Sequence, residues 1–144
     1  MAAAATSNPG GAMAAEIDQE VATFRGIQEQ VQKVRNDLQI VLGQLTENEM
    51  VQQELNLIDT SSSSSNNVYK MVGPVLMKNS LEDAKETVSK RIEFITAEKD
   101  RLESKSKDLE TKAMEISQKV QKMQAALQQA TAAAVQQVAK QHQT

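Results

Sequence analysis

Cysteine is absent from the 144 residues, which removes disulfides and thiolate chemistry and suits a reducing compartment. Tryptophan is absent too, and only 2 % of the chain is aromatic: Phe24, Tyr69 and Phe94. An ordinary globular core of this length leans on more aromatic area than that. The single histidine, His142, stands near the C-terminal end, so neither a His-based catalytic triad nor a Cys/His metal site can be assembled. No glycine-rich phosphate loop occurs either. The inventory predicts a protein that is not an enzyme and holds no cofactor or metal. Positive charge is also in deficit: the formal net charge is -3 and the pI about 5.2. No basic field is present to condense on phosphates, so neither nucleic acid nor an anionic membrane is an expected partner. No run approaches the roughly 20 apolar residues of a membrane span. The Ala/Gly-rich opening, residues 1–15 with Pro9-Gly10-Gly11, lacks the basic and Leu-rich regions of a secretory signal and is expected to be a disordered leader. The cytoplasm is the expected location.

What the chain does contain is Ala, Val, Leu, Ile, Met and 17 glutamines, a mixture suited to long helices. Helix one is predicted over 16–59. Ile17, Val21, Phe24, Ile27, Val31, Val34, Leu38, Val41, Leu45, Val51, Leu55 and Ile58 recur at threes and fours, interrupted once where Asn48 holds a seam position. Gly26 and Gly43 each cost about 1 kcal/mol relative to Ala, so this helix depends on a partner. Helix two is predicted over 80–140, with a tail at 141–144. Heptad positions counted from Ile95 hold Ile95, Lys99, Leu102, Ser106, Leu109, Ala113, Ile116, Val120, Met123, Leu127, Ala130 and Ala134, of which ten of twelve are apolar. Lys99 and Ser106 are either register devices or tolerated defects. Glu86 with Lys90, Glu103 with Lys107, Asp108 with Lys112 and Glu115 with Lys119 are favourably oriented i,i+4 pairs, together about 1 to 2 kcal/mol. Ser80 with Asp83 resembles a capping box.

The middle differs. A Ser/Asn loop at 60–67 has nothing to bury. Val68-Tyr69-Lys70-Met71-Val72 and Val75-Leu76-Met77-Lys78 flank Gly73-Pro74 and predict a β-hairpin over 68–78. Apolar residues lie on both of its faces, and an isolated two-stranded ribbon is marginal in water. Such a hairpin must meet other strands. The predicted fold class is therefore mainly α, a long antiparallel two-helix coiled coil with a β-hairpin at the helix-helix connection, in a single domain over 16–140.

The chain resembles the prefoldin β-class subunits. The resemblance is carried by Leu45-Thr46-Glu47-Asn48, Val51, Glu54-Leu55 and Leu57, then by the whole Val68–Lys78 hairpin. It continues in helix two through Glu82, Ala84, Thr87-Val88, Lys90-Arg91, Ile95-Thr96-Ala97-Glu98 and Arg101. Gly73-Pro74-Val75-Leu76-Met77-Lys78 favours the subunit 6 branch over the subunit 2 branch. The Ser61–Ser65 run departs from the family pattern by lengthening the loop before the hairpin.

The resemblance implies a heterohexamer of α- and β-class prefoldin subunits that holds unfolded clients such as actin and tubulin without ATP and hands them to the cytosolic group II chaperonin. In that setting Val68, Tyr69, Met71, Val72, Val75, Leu76 and Met77 are the expected assembly residues. Client contact is expected at the helix tips, through Ile17, Val21, Phe24, Met123, Leu127, Val135 and Val138. Placing Ile58 opposite Leu81 puts Ile17 opposite residue 122, so the stripe from Met123 onward is expected to outrun its partner, where it either meets clients or simply frays as an Ala/Gln-rich tail. The competing readings are a structural coiled-coil tether or a scaffold subunit in another complex, whose seam would need no hairpin interrupting the two helices, and a peptide-binding adaptor, which would need aromatic anchors that the sequence lacks.

Overall fold

The computed structural model describes residues 8–58 and 68–143. Among them the order is α1 (Pro9–Leu57), β1 (Val68–Val72), β2 (Val75–Asn79) and α2 (Leu81–Gln141). Residues 1–7, Asp59 with the Ser/Asn loop, and Thr144 lie outside the described residues. Two compact units are distinguished, Met1–Lys33 with Ser106–Thr144, and Val34–Lys105.

Helix α1 begins at Pro9, which corrects the expectation of a disordered leader for residues 9–15. Asn8 is the N-cap: its side-chain oxygen accepts the Gly10 N–H at 3.1 Å, and its carbonyl accepts those of Gly11 and Ala12. Pro9 then occupies the first helical position, where its missing N–H has no helical partner to lose and its fixed φ is already helical. Ala12, Ala14 and Ala15 are the best helix formers. Met13 is the first residue of the seam.

Within each unit the two helices run antiparallel. In the first, Glu20 pairs with Lys119 while Gly10 lies against Leu127, so advancing along α1 retreats along α2. Ile17 and Leu109 are buried there. In the second unit Gln52 Nε2 donates to Ser89 Oγ at 3.5 Å, and Val34, Leu55, Ala84, Val88 and Leu102 are buried. Every a/d position of α1 from Met13 through Ile17, Glu20, Phe24, Ile27, Val31, Val34, Leu38, Val41, Leu45, Asn48 and Gln52 to Leu55 is at least half-buried. Val51 is not among them. It is 43 % exposed, and Gln52 takes the seam position three residues before Leu55, because the strict three-four alternation outranks hydrophobicity at a single site. Asn48 turns its amide back to the Gln44 carbonyl at 2.7 Å rather than across the seam.

On α2 the heptad read from Ile95 is buried or half-buried through Leu127, with Ala130 and Ala134 exposed. Among the described residues no side chain falls below 2 % exposure, as expected of a seam one layer thick. Ser80 caps α2, its hydroxyl accepting the Asp83 N–H at 3.1 Å, with Glu82 and Asp83 in the first turn complementing the helix dipole. Of the expected surface pairs, Glu86–Lys90 forms at 3.0 Å. Glu103 instead approaches Lys99 at 3.9 Å, and Lys119 reaches across to Glu20. A pair absent from those expectations, Arg101 with Glu98, holds the Glu98 carboxyl below the usual carboxylate range through its guanidinium hydrogen bond.

Candidate functional site

The hairpin is built from a two-residue turn. Gly73 has φ +59°, and the Pro74 ring fixes a negative φ at the next position, the pattern of a type II′ turn whose twist matches the flanking strands. The register that follows is Val72↔Val75, Met71↔Leu76, Lys70↔Met77, Tyr69↔Lys78 and Val68↔Asn79. Alternation along it places Val68, Val72, Val75 and Met77 on one face and Tyr69, Met71 and Leu76 on the other.

Only the root of the hairpin is seated. Val68 packs with Ile58, Leu81 and Ile92 on the buried cluster of Leu55, Ala84 and Val88. Beyond that root the ribbon stands uncovered on both faces: Met71 is 73 % exposed, Leu76 65 %, and Tyr69, Val72, Val75 and Met77 are all exposed. Among the described residues the sheet has two strands only, so both edges are open. Closing a two-residue turn makes Val72 and Val75 a hydrogen-bonded pair, and the bonding alternates from there. The N–H and C=O groups of Tyr69 and Met71 on β1, and of Leu76 and Lys78 on β2, therefore face outward. Apolar faces and vacant ladder positions together form a template for further strands.

The residues expected at the helix tips are placed differently from one another. Ile17 is buried, and Val21 and Phe24 are half-buried, lining with Val120 a cleft of about 240 Å³. Met123 and Leu127 are half-buried as well. Because α1 starts at Pro9, Pro9, Gly10 and Met13 meet Leu127, Ala130 and Ala134 around a cleft of about 450 Å³. The expected end of pairing near residue 122 is thereby corrected: α1 covers α2 at least as far as Leu127. Val135 and Val138 are the exposed apolar residues beyond it, at 63 % and 54 %.

Periodicity missed an apolar surface in the Val34–Lys105 unit. Phe94 is 77 % exposed on α2, beside Thr87, Lys90 and Arg91. Its position one residue before the seam residue Ile95 was the available signal, since one residue rotates a side chain about 100° round a helix. Among the described residues no helix is long and apolar enough to cross a membrane, and no group of three or more His, Asp or Glu could hold a metal ion.

Two long helices joined through a hairpin that is uncovered on both faces are the frame in which the described apolar strand residues stand exposed. The chain belongs to the prefoldin subunit family, whose profile, described as "Prefoldin subunit", matches residues 18–142. It is similar to prefoldin subunit 6 of Mus musculus, with 43 % identity over 89 residues that cover 62 % of this chain and 67 % of that one. Prefoldin subunit 6 of Arabidopsis thaliana is 48 % identical over 65 residues, covering 45 % of this chain and 47 % of its own. The fold matches the crystal structure of the prefoldin beta subunit from Thermococcus strain KS-1 with a TM-score of 0.69, over 74 % of this chain and 90 % of that chain, at 24 % identity. Prefoldin subunits are chaperones, and membership of the family implies assembly with other prefoldin subunits.

Proposed function

We propose that this chain is one subunit of a hexameric, ATP-independent holdase that binds unfolded or nascent proteins and delivers them to the group II chaperonin of the cytoplasm. One observation carries the reading: a hairpin exposed on both faces and open at both edges, in a chain of the prefoldin subunit family. Its partners are α- and β-class prefoldin subunits, whose strands extend the ladder at Tyr69, Met71, Leu76 and Lys78 and cover the apolar side chains of Val68, Tyr69, Met71, Val72, Val75, Leu76 and Met77. Clients of the actin and tubulin kind bind at the helix ends. There Val135 and Val138 offer uncovered apolar surface, and the half-buried Val21, Phe24, Met123 and Leu127, with Ile17 beneath, line the adjoining seam. Flexible Met and small Ala side chains suit weak contact without sequence preference, and several subunits acting together raise weak contacts through effective concentration.

The test mixes the purified chain with an α-class subunit and the remaining β-class subunits and measures the mass of the product. Suppression of aggregation of unfolded actin is then assayed without ATP. A hexamer that suppresses aggregation supports the reading. A chain that stays outside every complex, or a hexamer without suppression, overturns it.

A further inference from the structure

We infer that the assembly surface of this chain continues from the hairpin onto the outer face of α2, where Phe94 receives the strand–helix junction of the neighbouring subunit. The inference rests on the subunit reading above and extends it to a surface the hairpin does not include. Tyr69 and Met71 of β1 line a cleft of about 350 Å³ together with Thr87 and Arg91. Thr87 and Arg91 also wall a second recess, of about 340 Å³, that contains Phe94. The two recesses share those residues as a common wall and so lie side by side on α2, next to the open edge of β1.

Phe94 takes no part in the seam of its own chain. The seam is filled beside it by Val88, Ile92 and Ile95, while Phe94 remains 77 % exposed. Two of the three aromatic residues in the chain, Tyr69 and Phe94, stand exposed at these recesses, with an exposed Arg91 between them. Exposed aromatics with an interposed arginine are the composition of interface anchors rather than of ordinary surface.

The open edge identifies the occupant. Tyr69 and Met71 turn their backbone groups outward, so the adjoining element is a strand, and a strand laid along that edge has one end beside Thr87 and Arg91, which line the same cleft. A neighbour of the same fold has its second strand joined directly to a helix, as β2 is joined to α2 here through Ser80, with Glu82 and Asp83 in the first turn. An acidic first turn set beside Arg91 is electrostatically matched.

Phe94→Ala and Arg91→Glu, each made in the full chain, test this in the reconstituted hexamer. Dissociation on dilution is followed by native mass measurement, and unfolding of the isolated chain is followed by circular dichroism. Phe94→Ala should weaken assembly by about 30-fold, the effect of truncating an aromatic anchor, and leave the unfolding midpoint of the isolated chain unchanged. Arg91→Glu should weaken assembly most at low salt. Wild-type assembly by Phe94→Ala would overturn the inference while leaving the subunit reading intact, as would unchanged assembly with reduced suppression of client aggregation. Failure of the wild-type chain to enter any hexamer would overturn both.

Discussion

Lys119 of α2 forms an ion pair with Glu20 of α1, ninety-nine positions earlier in the chain. Glu20 is an a/d position of α1, so a charge that would weaken a seam on its own is matched by a cation arriving from the opposite helix. The pair marks the register of the Met1–Lys33 and Ser106–Thr144 unit, in which α1 runs antiparallel to α2.

Carboxyl-to-amine cross-linking should therefore join Lys119 to Glu20, and Lys122 to Glu16 or Asp18. Links from either lysine to Glu54 would contradict antiparallel helices. Glu20→Gln should lower stability by no more than about 1 kcal/mol, since the Lys119 side chain is 59 % exposed.

The seam is one layer thick and its energy is concentrated where exposure is lowest. Leu102 is 3 % exposed, and Leu102→Ala should cost about 2 kcal/mol or more in thermal unfolding. Val135→Ala, at a residue 63 % exposed, should stay within about 0.5 kcal/mol. Equal losses at the two sites would mean that α2 is held by something other than this seam.

Gly26 and Gly43 sit inside α1 with nothing within 4 Å of the position a Cβ would take. Alanine at either should raise stability by about 0.5 to 1 kcal/mol, since the helical preference is gained without a clash. Gly73 has equally open surroundings but a φ of +59°, so Gly73→Ala should strain the turn by about 1 to 2 kcal/mol and impair assembly. A neutral Gly73→Ala would show that the turn differs from the one described.

Removing residues 135–144 should leave assembly unchanged and reduce suppression of client aggregation, because Val135 and Val138 lie in that stretch and the seam through Leu127 is kept. Full suppression by the truncated, assembled complex would place client contact elsewhere.

How far pattern alone reaches is visible in these residues. The α2 seam from Ile95 to Leu127 and the hairpin from Val68 to Lys78 follow directly from periodicities of 3.5 and 2 and from the Gly-Pro turn. The start of α1 did not, because Pro9-Gly10-Gly11 reads as a breaker until the Asn8 cap and the packing of Met13 are seen. Val51 and Gln52 exchanged roles because hydrophobicity favours one and heptad phase the other. Lys119 was matched to Glu115, its neighbour along the helix, since nothing local announces a partner ninety-nine residues away. Phe94 lies off the stripe, which marks the covered face of a helix and carries no signal for the uncovered one.

Placing lysine at Val72 and Leu76, one on each exposed face, decides whether the open hairpin is the assembly element. The doubly substituted chain is mixed with its α-class and β-class partners, and the mass of the product is measured beside helix content by circular dichroism. Loss of the hexamer with helix content retained is the predicted result. A hexamer of wild-type mass containing the substituted chain would contradict it.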